Sequence, residues 1–295
     1  MPRKALFVLL VVALLSGCRK SSAPAAAPAA AQATFHIRGK VVSTNAAHVT
    51  LDGEAVPGFM DAMTMPYKLK DPMVATELHP GDRIMATILA DRDGSDFANV
   101  RLDNVVIISQ ARPDYVPAVQ YHIPRAGDVV PDFRLLNQSD KTIHLGQFKG
   151  KVLLLTFIYT RCPLADFCVR MSRNFAEVDK ALTADPALYQ KTHLLSISFD
   201  PAYDTPKVLR SYGGAYTGQY TREKFLHWDF AAPTVKELPA LTQYFDVGIT
   251  GSGKGLSHSL STVLVGKDGR IVAWYPNNEW KPADVVAQMK QAAGV

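Results

Sequence analysis

The stretch VLLLTFIYTRCPLADFCVRMSRNFAEVDKAL, residues 152–182, decides the fold of the larger part of this chain. Its opening run from Val152 to Ile158 is almost entirely apolar, which is typical of a strand that is buried on both faces of a sheet. Beyond two cysteines, apolar side chains recur at spacings of three and four residues, which indicates one face of a helix. These positions are Phe167, Met171, Phe175, Val178 and Leu182. The stretch predicts a buried strand followed by an amphipathic helix.

Strands and helices continue to alternate downstream. Leu194 to Phe199 is predicted as a second interior strand. Ser261 to Val265 and Arg270 to Tyr275 flank a Lys-Asp-Gly turn and predict a β-hairpin. Pro282 then stands near the start of a last helix, where helices tolerate proline. A β-α-β unit followed by a hairpin and a terminal helix predicts an α/β, thioredoxin-like domain over residues 126–295.

The segment before this domain has a different organisation. Short runs rich in β-formers, separated by turn residues, predict a small all-β, OB-like barrel over residues 35–109. These runs are FHIRGKVVS, AHVTLD, RIMATILA and VRLDNVVIIS. A proline-bearing linker over residues 110–125 is predicted to separate the barrel from the thioredoxin-like domain.

The N-terminus is organised as an export signal. Arg3 and Lys4 precede an apolar run that is shorter than the roughly 20 residues needed to span a bilayer. The order of basic, apolar and small residues fits a secretory signal. With Leu15-Ser16-Gly17-Cys18, it resembles a bacterial lipoprotein signal over residues 1–17. The resemblance implies that Cys18 is lipidated, that residues 18–34 form an Ala/Pro-rich tether, and that the protein is membrane-anchored in the bacterial cell envelope, facing the periplasm or exterior.

The overall composition excludes several classes of protein. A chain of 295 residues with 47% apolar and 20% charged residues is globular rather than collagen-like, coiled-coil or disordered. The net charge is +5, and removal of the two basic residues of the signal leaves about +3. So small and scattered an excess gives no support to a nucleic-acid partner.

Two of the three cysteines remain as thiols once Cys18 is lipidated. Cys162 follows directly on the buried strand and Cys168 lies at or just inside the next helix. In an exported, oxidising compartment, such a pair indicates a disulfide or a metal or redox site. The partial positive charge of the helix N-terminus is expected to lower the thiol pKa values.

Three segments around these cysteines carry a family resemblance. They are VVPDFRLLNQSDKTIHLGQFKGKVLLLTFIYTRCP, SISFDPAYDTP and GLSHSLSTVLVGKDGRIV. They resemble the Sco (SenC) family of thioredoxin-fold copper chaperones over about residues 126–293. The resemblance implies that Cys162, Cys168 and His258 bind one copper ion, with Asp200 and Asp204 nearby. It also implies delivery of copper to the copper-site subunit of a respiratory oxidase.

The donor set agrees with copper, but the cysteine spacing departs from the family pattern. Two thiolates and an imidazole favour Cu(I) and also hold Cu(II). Most Sco proteins have three residues between the cysteines, whereas five lie between Cys162 and Cys168. A continuous helix would separate the pair by about 9 Å along its axis, too far for a disulfide. We therefore expect a bulge at Pro163, with the helix capped near Asp166; Met171 is expected to pack in the core.

The barrel contains a methionine-rich segment, VTLDGEAVPGFMDAMTMPYKLKDP, which resembles the small periplasmic copper-binding domain of the CusF type. The resemblance implies a second copper site at Met60, Met63 and Met65, since thioethers are soft donors. Relatives place a histidine near the position of Asp52 and Gly53, where this chain has none. The methionines are equally compatible with a barrel core.

Three functions therefore remain open at the level of the sequence. The first is a membrane-tethered copper chaperone for cytochrome c oxidase assembly. The second is a thiol-disulfide oxidoreductase that cycles a disulfide between Cys162 and Cys168. The third is a copper-resistance or buffering protein. His258 distinguishes the first two, because metal binding needs an imidazole and disulfide exchange does not.

Overall fold

The computed structural model describes residues 32–45, 47–93, 96–112, 114, 121–162, 165–250 and 257–295. The predicted signal peptide, Cys18 and most of the predicted tether lie outside the described residues. Across the described ranges, no helix is long and apolar enough to cross a bilayer.

The first folded unit is a closed five-stranded barrel with the strand order β1-β2-β3-β5-β4. Its strands are β1 (Gln32–Thr44), β2 (His48–Gly53), β3 (Met63–Leu69), β4 (Arg83–Asp93) and β5 (Asp96–Ser109). Neighbouring strands are antiparallel except β3 and β5. The predicted all-β barrel is therefore confirmed.

The barrel begins earlier than predicted. The sequence places Gln32 and Thr34 in the tether, yet both belong to β1 and pair with Asp91 and Leu89 of β4. Small and polar residues join this strand because the long β4–β5 hairpin provides backbone partners for them.

The second unit is built on a seven-stranded sheet with the order β14-β13-β8-β9-β10-β6-β7. Its strands are β6 (Arg134–Asn137), β7 (Thr142–His144), β8 (Val152–Ile158), β9 (Thr192–Ser198), β10 (Trp228–Ala232), β13 (Thr262–Val265) and β14 (Ile271–Tyr275). A separate ladder joins β11 (Ile249–Thr250) to β12 (Ser257–His258). The helices are α1 (Arg170–Thr183), α2 (Pro186–Lys191), α3 (Pro206–Tyr216), α4 (Leu238–Tyr244) and α5 (Pro282–Ala293).

The apolar patterns account for the centre of this unit. Every residue of β8 is buried, and β8 pairs in parallel with β9 and antiparallel with β13. One face of α1 is buried in the same core through Met171, Phe175, Val178 and Leu182. Pro282 begins α5, and Gly269 takes a positive φ of 79° in the turn between β13 and β14. The thioredoxin-like fold predicted from these patterns is confirmed.

The barrel packs against the second unit through β2 and β3. The Thr50 hydroxyl donates a hydrogen bond of 3.3 Å to the buried Asp246 carboxylate. Gly248 lies so close to β3 that a Cβ atom there would be 2.8 Å from the Cβ of Thr64. Asp246 and Gly248 lie just before β11. The ladder that carries His258 therefore lies beside the methionine strand of the barrel.

Candidate metal centre

The structure brings together the three residues that the sequence predicts as copper ligands. The Sγ atoms of Cys162 and Cys168 and a ring nitrogen of His258 all lie within 4.8 Å of one another. Cys162 lies in the turn after β8, Cys168 lies just before α1, and His258 ends β12. The C-terminal end of a central strand, a two-stranded ladder and the start of a helix therefore meet at one point.

An irregular turn brings the two cysteines close. Residues Ala165–Val169 form a single π-type turn, and Phe167 interrupts it with φ −101° and ψ −115°. The segment from Cys162 to Cys168 is thus not one continuous helix. The α-helix begins at Arg170, later than the predicted start near Asp166, because the irregular turn takes up the longer spacer. Pro163 and the side chain of Asp166 lie outside the described residues.

Cys168 is fully buried, and this reverses one expectation from the sequence. Burial raises the pKa of the Cys168 thiol well above its usual range, and the neighbouring Cys162 raises it further. The predicted lowering by the helix N-terminus is wrong for Cys168, because loss of hydration outweighs a partial charge at an irregular helix start. The Tyr159 backbone N–H donates to the Cys168 Sγ at 3.4 Å and positions the sulfur.

The orientation of His258 is determined by its neighbour. Its Nδ1 lies 2.8 Å from the carbonyl oxygen of Ser259. A carbonyl oxygen only accepts hydrogen bonds, so Nδ1 carries the proton. In the neutral ring, Nε2 then has a free lone pair, and it lies 3.3 Å from the Sγ of Cys168. The backbone of Ser259 thus presents Nε2 as a metal ligand.

Aromatic rings enclose His258. The ring centroid of Phe199 lies 4.5 Å from that of His258, and Tyr159 and Phe167 both meet it edge-on at 5.7 Å. Such an enclosure keeps water from the ring. Sequence reasoning missed these roles. The spacing of Phe167 predicts a place on the apolar face of the helix, but the residue lies in the irregular turn before α1.

Asp200 and Asp204 hold the turn that carries Cys162. The Asp204 carboxylate accepts hydrogen bonds from the backbone N–H of Thr160 at 3.1 Å and from its hydroxyl at 2.5 Å. Burial raises the pKa of Asp204, although these hydrogen bonds oppose the shift. Asp200 forms an ion pair of 2.5 Å with Arg161, whose guanidinium lies 3.9 Å from the Tyr203 ring centroid. Both acidic residues therefore act on the residues between β8 and Cys162.

The methionines fall into two groups. Met171 is buried in the core between α1 and β13, with its Sδ 3.9 Å from the Thr262 hydroxyl. Met63 and Met65 share one face of β3, because side chains alternate along a strand. Met60 lies near them, and its Sδ accepts a hydrogen bond of 3.0 Å from the Tyr67 hydroxyl.

Among the described residues of the β2–β3 ladder, no histidine lies directly opposite Met63 or Met65. Met63 lies opposite Gly53 and Met65 lies opposite Leu51 across the β2–β3 ladder. Asp52 is paired instead with Thr64, whose hydroxyl donates to its carboxylate at 3.4 Å. The structure thus offers three thioether sulfurs from the barrel without an imidazole at the positions opposite them.

Comparison with known families and structures agrees with this organisation. Residues 122–294 match the SCO1/SenC family model, and residues 34–101 match the model of the copper binding periplasmic protein CusF. The SCO1 protein homolog of Bacillus subtilis (strain 168) is 29% identical over 170 residues, which are 56% of this chain and 82% of the relative. Both resemblances predicted from the sequence are confirmed.

A solved structure shows the same fold for the second unit. A SCO1/SenC family lipoprotein from Bacillus anthracis str. Ames superposes with a TM-score of 0.50 at 22% identity, covering 58% of this chain and 97% of that chain. Bradyrhizobium japonicum ScoI, solved with copper bound, is 24% identical with a TM-score of 0.45, covering 56% and 99% of the two chains. The SCO1/SenC family model matches residues 122–294, which are more than half of this chain. The chain therefore belongs to the SCO1/SenC family.

Proposed function

We propose that this protein is a membrane-tethered copper chaperone that delivers copper to a respiratory oxidase during cytochrome c oxidase assembly. The observation that carries the proposal is the convergence of Cys162, Cys168 and His258, whose ligand atoms lie within 4.8 Å of one another. Two sulfurs and one imidazole nitrogen form a soft donor set of low coordination number, which suits Cu(I). Membership of the SCO1/SenC family supports the oxidase as the destination.

The exposure of the ligands suits a carrier of metal. Cys168 and His258 are buried, whereas Cys162 is partly exposed. A partner thiol can therefore reach the ion from the side of Cys162 while the other two ligands still hold it. Stepwise replacement of ligands avoids release of a free copper ion. The Arg161–Asp200 ion pair lies directly beside Cys162 in the chain and links this turn to the residues after β9.

A second candidate is disulfide exchange between Cys162 and Cys168, favoured by the closeness of the two sulfurs. The attacking species in such exchange is a thiolate. Burial raises the pKa of the Cys168 thiol, which disfavours this role for Cys168. His258 also directs the lone pair of its Nε2 atom at the two cysteines, and disulfide exchange does not require such a nitrogen. We therefore assign the reversible disulfide to control of copper loading rather than to catalysis.

We further propose that Met60, Met63 and Met65 hold a second copper ion, as the match to the CusF model supports. Three neutral thioethers without an imidazole bind Cu(I) more weakly than the cysteine centre. The lipidation of Cys18 and the location in the cell envelope belong to the same proposal, and they rest on the sequence of the signal.

Competition for Cu(I) against a chromophoric chelator tests the main proposal. Cys162→Ser, Cys168→Ser and His258→Ala should each weaken binding by at least about a hundredfold, because each removes a direct ligand. His36→Ala, an exposed histidine on β1, is the matched control and should bind as the parent does. Unchanged affinity in His258→Ala would contradict the centre and favour the oxidoreductase.

A further inference from the structure

The barrel and the thioredoxin-like unit enclose a cavity between them. Its volume is about 560 Å³, and residues from both units line it. The barrel contributes all three methionines of the predicted second copper site, and the other unit contributes Phe167, Leu260 and residues 276–279. The three methionines therefore line a space that the domain bearing the cysteine centre also borders.

Phe167 forms the common wall between this cavity and the cysteine centre. It lines the cavity, and its ring meets that of His258 edge-on at 5.7 Å. Phe167 also directly precedes Cys168 and lies in the irregular turn that the five-residue spacer creates. Phe167 thus lies between the cavity lined by the methionines and the ring of His258.

Hydrogen bonds keep the two sites in one arrangement. Thr64, between Met63 and Met65, touches the backbone of Gly248. Gly248 is bound to Ser259 in both directions, with its N–H donating to the Ser259 hydroxyl at 2.8 Å and its carbonyl accepting from the Ser259 N–H at 2.9 Å. Ser259 in turn binds Nδ1 of His258. The methionine strand is therefore connected to the imidazole through one glycine and one serine.

We propose that this cavity is an internal transfer route, in which Cu(I) first binds the methionine cluster and then passes Phe167 to Cys162, Cys168 and His258. The inference rests on the proposed function, since it needs both sites to bind copper. Cys168 and His258 are closed to solvent, whereas the cavity reaches the wall beside them.

The transfer is a ligand exchange without change of oxidation state. Bonds from copper to the thioether sulfurs break, and bonds to two cysteine sulfurs and one imidazole nitrogen form. Each cysteine that binds as thiolate releases one proton to solvent. The ion moves from neutral to anionic donors, so transfer toward the cysteines is favourable.

The kinetics of Cu(I) loading test the route. The full chain, reduced and in detergent, is mixed with the Cu(I)–bicinchoninate complex in a stopped-flow instrument, and the near-ultraviolet absorption of Cu(I)–thiolate is followed. Met63→Leu/Met65→Leu removes two sulfurs while conserving side-chain volume. Met73→Leu, 69% exposed and outside the cavity, is the matched control.

We expect the double variant to load at least tenfold more slowly than the parent, with an unchanged final affinity of the cysteine centre and a normal rate in Met73→Leu. Loading of the double variant at the parent rate would overturn the transfer route and leave the proposed function standing. Equal slowing in Met73→Leu would also overturn it. Absence of the thiolate absorption in the parent would instead overturn the proposed function, and the route with it.

Discussion

The Sγ atom of Cys168 lies 3.3 Å from the Nε2 atom of His258, a distance at which the thiol donates to the imidazole. A metal ion must replace the proton between these two atoms. A proton and a metal cation therefore compete for this buried pair of atoms.

Copper binding should therefore strengthen as the pH rises. The raised pKa of the Cys168 thiol means that the free protein holds this proton at neutral pH, and binding must displace it. We expect the apparent affinity for Cu(I) to rise about tenfold per pH unit for each proton displaced. Competition titrations at several pH values below the thiol pKa measure the slope. Cys168→Ser should reduce the slope by one proton, and a flat profile in the parent would contradict the prediction.

Oxidation should exclude copper from the cysteine centre. The closeness of the Cys162 and Cys168 sulfurs favours a disulfide, and oxidation removes the thiolates that bind metal. We expect the oxidised protein to lose binding at this site and to regain it with reductant, while the barrel methionines are unaffected. Mass spectrometry after thiol alkylation checks the pairing. Two alkylated cysteines under oxidising conditions would show that the spacer keeps the sulfurs apart.

Membrane attachment should depend on Cys18. Because stable anchoring needs more than one acyl chain or signal, Cys18→Ser should abolish it and leave soluble protein or uncleaved precursor. Metabolic labelling with a lipid precursor and fractionation measure this directly. Normal lipid labelling of the variant would refute the lipoprotein signal.

The contact between the barrel and Asp246 should make stability depend on pH. Burial raises the pKa of Asp246 from 3.8 to about 7, and its Oδ1 atom has no hydrogen-bond partner among the described residues. The folded state thus binds the proton more tightly than the unfolded state. The stabilisation is complete below about pH 4 and is lost as the pH rises toward 7.

Asp246→Asn should remove this dependence. In the parent, this pKa shift corresponds to a loss on the order of 4 kcal/mol in the free energy of unfolding between about pH 4 and pH 7. Urea unfolding of both proteins at pH 4 and pH 8 measures the difference, with the exposed Asp61→Asn as the control. Equal pH dependence in the parent and Asp246→Asn would contradict the assignment.

The sequence predicts the elements whose patterns are local. The continuous apolar run of β8 predicts a strand, because both of its faces are buried. The apolar residues spaced by three and four along α1 predict a helix, because one of its faces is buried. The positions of Cys162 and His258 in the fold follow from the strands beside them.

Features that depend on tertiary contact could not be predicted in this way. The thiol pKa of Cys168 is set by burial, which spacing does not reveal. Phe167 fits the helical pattern but lies in an irregular turn, because the longer spacer must be absorbed before α1 begins. The strand position of Gln32 depends on a partner 59 residues away in the chain, Asp91.

Gly248 sets the separation of the two folded units. A methyl group at this position would overlap Thr64, with carbon atoms 2.8 Å apart, and either β3 or the β11 segment would have to move. Since Gly248 touches the methionine strand on one side and binds Ser259 on the other, its missing side chain acts as a minimal spacer. The distance between the two folded units is therefore adjustable by the volume of one residue that is not itself a proposed ligand.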